Sequence, residues 1–509
     1  MCMSPRLITS LSLILLGSFI NLCAAEETKA PSNLSVMAFN VENLFDLDEK
    51  SNYADFPVTK ATEHHWTPEK LAAKLHRIAE VLRTAEEGKG PSVLILDELE
   101  ADHTPESTVS VSDFLAAQKD KKYNEILKND LSDDLRGMPI ENWLVKALED
   151  EGLTGYQVVL GDILDLNNEA IHCAILTRLP IKSTRQLHVQ GARTIVEAEV
   201  EIAGESVYVY ANHWKSGAGD AKLEITRMQN AGVLRKRLDE IFKANPSANV
   251  IIGGDLNTQY NQLQRYPKMG KTAVQDVLGS QGNVEKFTSA NNNGAVLYNL
   301  WYDVEPSQRH SDTYQGEWGT LMQIIISKGL ANGSGVDYVG GTFGAVIIDG
   351  LNAKSQARIP NPVTLYGPGA GVSDHFPVMA NFTVHNKDTK AGSPLKRPEV
   401  TPSEALTEIP GPIDRAKLPR ASSIEKMSVE EVANSINDLF LIDGSFLGSS
   451  KKSASVKCGE KTFNLYISNP KVAAAIKSQA KGSAVQWVGI LHFHNNDLEF
   501  EINNPSLLK

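Results

Sequence analysis

The chain has 509 residues, 41% of them hydrophobic and 22% charged, which is the balance of a globular protein longer than one ordinary domain. Its 62 acidic and 50 basic residues give a formal net charge of −12. That sign excludes nucleic-acid binding by bulk electrostatics, so a phosphodiester would have to be neutralised by a metal ion and a few local cations.

Residues 1–25 have the pattern of an export signal. Arg6 supplies the positive start, Leu7 to Leu22 is largely apolar, and Cys23-Ala24-Ala25 places small residues before the charged Glu26-Glu27. A retained anchor is the alternative, but the apolar run is shorter than the ~20 residues that cross a bilayer. The expectation is therefore a secreted or periplasmic protein with no stable membrane insertion. Cys2 and Cys23 would leave with the signal, and the distant Cys173 and Cys458 read as free thiols in packed positions.

Residues 31–385 read as one alternating α/β unit. Strand-like runs recur at Leu34–Phe39, Val93–Leu96, Tyr156–Leu160, Cys173–Leu176, Thr194–Val200, Val207–Tyr210, Val250–Ile252, Ile324–Ser327 and Val378–Phe382. Thr67-Pro68 caps a helix whose apolar face is Leu71, Leu75, Ile78 and Leu82. Residues 101–150 are polar, with helical pieces at Tyr123–Lys128 and Trp143–Leu148, and read as an insertion that shapes substrate access. Leu223 to Phe242 is a long helix whose cations Arg227, Arg235, Lys236 and Arg237 read as a solvated face. Residues 386–425 are a Pro-rich linker. Residues 426–509 open with a helix, Val429–Phe440, and turn strand-rich around a helical Pro470–Gln479. That pattern suits a small oligonucleotide/oligosaccharide-binding (OB) barrel, in which Phe463, Tyr466, Trp487 and Phe493 either stack bases or form the core.

Five polar clusters sit at the ends of the strand-like runs: Asn40-Val41-Glu42-Asn43, Asp97-Glu98-Leu99-Glu100, Asn212-His213-Trp214-Lys215-Ser216, Asp255-Leu256-Asn257 and Ser373-Asp374-His375. Strand ends of an open α/β sheet share one crevice, so these distant segments can meet. Carboxylates and amides are hard oxygen ligands suited to magnesium or manganese, with calcium a further candidate. His213 and His375 can bind phosphate oxygens or transfer protons. Taken singly, each cluster is equally a turn, a surface ion pair or a satisfied core pair.

The ordered series Phe39-Asn40-Val41-Glu42-Asn43-Leu44-Phe45, Glu98, Asn212-His213-Trp214-Lys215-Ser216, Gly254-Asp255-Leu256-Asn257 and Ser373-Asp374-His375-Phe376-Pro377 resembles the endonuclease/exonuclease/phosphatase superfamily over about residues 33–384. The resemblance implies a four-layered α/β sandwich of the deoxyribonuclease type and a metal-dependent phosphodiester hydrolase. In its terms Glu98 is the main metal ligand, with Asn40, Glu42 and Asp374 beside it. Asp255 orients or deprotonates the attacking water, and Asn257 steadies the phosphoryl oxygens. His213 and His375 contact the phosphate or move protons, and Asn212 and Lys215 contact substrate. The Asn-His-Trp-Lys-Ser motif and the export signal resemble extracellular bacterial nucleases, so DNA or RNA is the expected substrate. A phosphoesterase acting on lipid headgroups or inositol phosphates is the alternative, and a non-catalytic binding protein on the same fold is a third reading.

Two positions depart from the family pattern. Asp97 replaces the usual Gln, and is expected either to strengthen metal binding or to face solvent. Met322 stands where an Asp normally supports the catalytic histidine, and a thioether cannot accept that charge-assisted hydrogen bond. Either another group, such as Tyr314 or Glu317, holds His375, or activity is reduced, or the correspondence is displaced along the chain.

Overall fold

The computed structural model describes residues 33–48, 50–51, 66–102, 109–165, 169–314, 317–354, 359–360, 371–385, 395, 413–436, 438–494 and 497–508. The expected signal segment and most of the linker lie outside the described residues. Among the described residues no helix is long and apolar enough to cross a membrane.

The chain enters through β1 (Asn33–Leu44), crosses by α1 (Pro68–Leu82) and returns as β2 (Val93–Glu100), parallel to β1. The Thr67 side chain accepts the Lys70 N–H, with Pro68 at the first helical position, so α1 starts where the sequence places it. Four helices follow, α2 (Val111–Ala117), α3 (Tyr123–Asn129), α4 (Asp133–Arg136) and α5 (Ile140–Asp150). Next come β3 (Gln157–Leu160), β4 (Ile171–Thr177), β5 (Ile181–Leu187), β6 (Ile195–Ile202), β7 (Glu205–His213), α6 (Ala221–Ala244) and β8 (Asn249–Asp255). Then follow β9 (Ser280–Gln281), β10 (Leu297–Asn299), β11 (Asp312–Tyr314), β12 (Glu317–Gly319), β13 (Met322–Ile326), β14 (Val336–Tyr338), β15 (Gly344–Ala345), β16 (Ala353–Lys354), β17 (Ile359–Pro360) and β18 (Val378–Val384). Each predicted strand is present within a few residues. The polar β5, with its centre exposed, carries no apolar run and escapes sequence reading.

Two seven-stranded sheets result. One runs β14-β18-β1-β2-β4-β3 with β15 also on β18, and the other runs β5-β6-β7-β8-β13-β10-β9. Each holds a central parallel pair, β1 with β2 and β7 with β8. The strand period of two sorts the side chains into layers. Leu34, Val36 and Ala38 of β1 join Val207, Val209 and Ala211 of β7 in the core between the sheets. Met37 and Phe39 face the opposite way, into a core shared with α1 and α5. Tyr210, Val250 and Ile252 pack against Ala231, Leu234 and Leu238 of α6. The order helix, sheet, sheet, helix is the expected four-layered sandwich. Gly254 makes the β7–β8 pairing close enough: its φ is 122°, and a Cβ there would lie 2.1 Å from the Asn212 carbonyl oxygen.

Two sequence expectations are corrected here. Residues 109–150 are not a polar insertion beside the domain. Phe114, Ile126, Trp143, Leu144 and Leu148 are buried in the outer core with α1, and Trp143 meets Phe114 edge-on at 5.2 Å. Nor do Arg227, Arg235, Lys236 and Arg237 form a solvated face, because only Lys236 of the four is exposed. Arg237 pairs with Glu197 at 2.7 Å, and Arg235 lies over the Phe242 ring. Arg227 is wholly buried, donates to Glu224 at 2.7 Å, and donates to the carbonyls of Lys215 at 2.8 Å and Ala218 at 3.4 Å. It therefore clamps the loop after β7.

The C-terminal part is a closed barrel of β19 (Leu439–Ser449), β20 (Ser453–Cys458), β21 (Lys461–Tyr466), β22 (Ala484–His494) and β23 (Asp497–Glu501), with a helix, Pro470–Lys477, between β21 and β22. The order first-second-third-fifth-fourth, with the third and fifth strands parallel, is that of an OB-like barrel. The helix expected over Val429–Phe440 ends at Asn434, because the run Leu439 to Ile442 pairs with β22 as a strand. The packed unit also begins earlier than residue 426, since Leu418, Ala421 and Ile424 are buried in the barrel core. Phe463 and Trp487 belong to that core and do not stack bases, whereas Tyr466 is 38% exposed. The Phe493 side chain lies outside the described residues.

Arg227→Ala leaves Glu224 buried and unpaired, so it should destabilise the fold by about 3–5 kcal/mol in chemical denaturation. A loss under about 1 kcal/mol would show that the clamp contributes nothing. His172 is buried on β4, donates from Nδ1 to the Gly161 carbonyl at 3.0 Å, and is lowered by burial to about 4. Its unfolded value lies near 6.5. Between those limits the unfolded chain binds a proton that the native chain does not. The stability present above pH 6.5 is thus lost as pH falls toward 4, by on the order of 3 kcal/mol. His172→Gln should remove that component from the pH dependence of the denaturation midpoint.

Candidate functional site

The parallel pairs β1–β2 and β7–β8 both deliver their C-terminal ends to one crevice, and Ser373-Asp374-His375 enters it just before β18. The Asp255 N–H donates to the Asp97 carboxylate at 2.7 Å across the two sheets. The Asn40 amide donates to Glu98 Oε1 at 2.9 Å and to Asp255 Oδ2 at 3.2 Å. The Asn43 N–H donates to Glu98 Oε2 at 3.0 Å. Ser373 Oγ donates to the Asn40 carbonyl at 2.6 Å and accepts the His375 N–H at 3.1 Å. Left-handed backbone gathers here, with φ of 50° at Glu42, 52° at Asn43, 68° at Glu98 and 48° at Asn257. None of these is glycine, and such conformations persist only where surrounding bonds over-determine them.

Two imidazoles face one carboxylate. His213 Nε2 lies 3.8 Å from both Glu98 Oε1 and Asp255 Oδ2, and His375 Nε2 lies 3.7 Å from Asp255 Oδ2. These separations exceed a direct hydrogen bond and leave room for a bridging group. The environments divide the pair. Burial, then Arg193, His375 and Lys215, hold His213 well below its ordinary range and therefore neutral. At His375 burial opposes the charge, but Asp374, Asp255 and Asp312 outweigh it and push the imidazole up to about 9. Asp255 is raised by burial and eased by His375, while its Oδ1 accepts the Asn257 N–H at 2.8 Å.

Glu42, Glu98 and Asp374 are the candidates in this crevice to hold a divalent cation. Burial and then Asp374 raise both Glu42 and Glu98, so these acids repel one another in a confined space. Glu42 Oε2 is buried with no hydrogen-bond partner among the described residues, while Asp374 is exposed at the mouth. Their oxygens are hard donors of the class a divalent cation takes, with the buried Glu42 acceptor left without a partner. Buried Lys74 donates to the Glu42 carbonyl and holds that segment in place.

Asn40, Glu42, Glu98, His213, Asp255, Asn257, Asp374 and His375 are thus brought together. Lys215 is exposed and lines an adjoining hollow with Arg193 and His213. Asn212 is not brought to the crevice: its amide donates to the Gly253 carbonyl at 3.3 Å, and its oxygen accepts the Trp214 indole N–H at 3.1 Å. It fixes the strand end beneath His213, and its side chain is wholly buried. Asp97 does not face solvent: it is wholly buried under Asp255, whose N–H it accepts.

Met322 is opposite Asp255 in register and buried in the core between the sheets. Tyr314 is 73% exposed and does not hold His375, and the Glu317 side chain lies outside the described residues. The negative charge arrives instead from Asp312, whose backbone bridges that of His375. Asp312 Oδ1 accepts from Ser311 Oγ and the Leu321 N–H at 3.0 Å each. His375 Nδ1 itself is buried with no partner among the described residues, so Asp312 replaces the charge of the usual Asp but not its hydrogen bond. Asp312 and Arg193 are the site residues that sequence reading missed; neither lies in a motif, and only the fold puts them at the crevice.

The crevice opens into a cleft of about 650 Å³ lined by Glu98, Arg193, His213, Asp255, Tyr314 and His375, among others. Comparison with curated proteins gives no match. Solved structures with similar chains include a truncated TDP2 from Caenorhabditis elegans, 17% identical, with 69% of this chain and 98% of that one covered and a TM-score of 0.38. A D. rerio TDP2 complexed with single strand DNA product is 14% identical over 69% and 100%, TM-score 0.38. An endonuclease/exonuclease/phosphatase from Bacteroides vulgatus is 10% identical over 69% and 99%, TM-score 0.39. A family model described as endonuclease/exonuclease/phosphatase family matches residues 35–147 and 176–384, well over half of the chain and all five clusters. The chain belongs to the endonuclease/exonuclease/phosphatase family.

Proposed function

We propose that the protein is an exported, divalent-metal-dependent phosphodiester hydrolase acting on DNA or RNA. The observation that carries this reading is the placement of Asp255 Oδ2 between His213 and His375, with Glu98 and Asp374 alongside. Hydrolysis of a phosphodiester needs a positioned water, neutralisation of the phosphoryl oxygens and a proton for the departing oxygen. Asp255 accepts the proton of the attacking water, held in position by Asn40 and Asn257. His375, charged, donates to a phosphoryl oxygen and passes its proton to the departing oxygen. Neutral His213 binds the opposite side of the same group, and Arg193 and Lys215 draw in the anion. Glu98, Glu42 and Asp374 would hold the divalent ion, which when bound supplies charge neutralisation at the phosphoryl group.

Export rests on the Arg6-to-Ala25 pattern alone. The nucleic-acid reading rests on the cations Arg193, Lys215 and Arg265 around the cleft and on the OB-like barrel. Exposed Tyr314 at the mouth favours a second reading, a phospholipid headgroup as substrate.

Purified residues 26–509 are expected to cleave plasmid, single-stranded DNA or RNA with Mg²⁺ or Mn²⁺ and to stop in excess chelator. A panel that adds sphingomyelin and inositol phosphates separates the two substrate readings. His375→Ala should lower kcat by about 10²–10⁴-fold. Full activity in that variant or in chelator rejects the mechanism. Asp312→Asn should lower kcat by about tenfold with KM little changed, since a charge that acts through His375 is felt in the transition state. An unaltered kcat would remove Asp312 from the site.

A further inference from the structure

A second acidic cluster lies outside the cleft. One carboxylate oxygen each of Asp46, Asp48 and Glu100 falls within 4.8 Å of the others. Main-chain amides fix all three side chains. The Asp46 N–H donates to Glu100 Oε2 at 2.6 Å, the Asp48 N–H to Asp46 Oδ1 at 2.9 Å, and the Lys50 N–H to Asp48 Oδ1 at 2.7 Å. The opposite oxygens, Glu100 Oε1 and Asp48 Oδ2, are buried with no partner among the described residues, and Glu100 is only 3% exposed. Asp46 and Glu100 are buried beside half-buried Asp48, and among the described residues no cation pairs with them; ionising such acids together costs several kcal/mol per buried ion.

We propose that Asp46, Asp48 and Glu100 form a second divalent-cation site, separate from the cleft and selective for Ca²⁺. None of the three lines the cleft. Hard anionic oxygens exclude a thiolate-seeking metal, and three carboxylates exceed the one or two that Mg²⁺ ordinarily takes while it keeps its waters. A Ca²⁺ ion here pins the segment after β1 to the end of β2. It thereby braces the left-handed turn at Glu42 and Asn43 from behind, without touching substrate. The site stands whether or not the catalytic reading holds.

The Trp66 indole N–H donates to the Phe45 carbonyl at 3.0 Å, next to Asp46, and so offers a sensitiser for Tb³⁺ luminescence. Tb³⁺ added to the full chain should emit on indole excitation and be displaced by Ca²⁺ alone. Asp48→Asn and Glu100→Gln should each weaken Tb³⁺ binding at least tenfold, while Glu98→Gln retains it. Thermal melting gives a second reading. The wild-type chain should gain Tm on adding Ca²⁺, and Glu100→Gln should not. Half-buried Asp48 provides the variant to use if Glu100→Gln fails to fold. Folded Asp48→Asn or Glu100→Gln that binds Tb³⁺ like wild type overturns the proposal, as does emission lost in Glu98→Gln but kept in Glu100→Gln.

Discussion

Asp255 is held from both sheets at once, and the rest of the site depends on that. Its main-chain N–H bonds to Asp97 on β2, and its side chain receives the Asn40 amide from β1. The strand that carries it, β8, belongs to the other sheet. The core between the sheets therefore sets the distance between the carboxylate of one parallel pair and Asn40 and Glu98 of the other. Because packed interiors do not deform smoothly, small volume changes at Val36, Ile95 or Val209 would be transmitted to that distance.

The electrostatic arrangement follows from burial more than from any single ion pair. Two histidines lie on either side of the same acid, yet one is held neutral and the other charged. The difference is composition: Arg193 and Lys215 press on His213, while Asp374 and Asp312 surround His375. Pushing apart the proton affinities of like groups is how one pocket obtains both an acid and a base. The substitution at Met322 is absorbed within this scheme, since Asp312 restores charge from a neighbouring hairpin even though it leaves the ring nitrogen unbonded.

Much of this was legible in the sequence. The buried strands show as uninterrupted apolar runs, and the motifs at their ends mark where the crevice lies. What escaped reading did so for physical reasons. β5 is an edge strand with solvated side chains and lacks an apolar signature. Arg227 looks like a surface cation because its acceptors are carbonyls of a loop, which no side-chain pattern reveals. Asn212 sits in a motif yet spends its hydrogen bonds internally, a choice fixed by Trp214 and Gly253. Asp97 takes its meaning only from the approach of a strand 158 residues away. The apolar start of β19 reads as the end of a helix because four consecutive apolar residues carry no period.

The bond from Ser373 to the Asn40 carbonyl joins residues 333 positions apart, and β18 lies directly against β1. A nascent chain that has already made β1, β2, β7 and β8 still lacks the segment that seats His375 and closes the sheet. The site therefore cannot assemble until the last strand of the domain has been synthesised and docked, and contacts of such long sequence separation form late. Chain order thus acts as a timer, keeping His375 from the other site residues until translation of the domain is nearly complete.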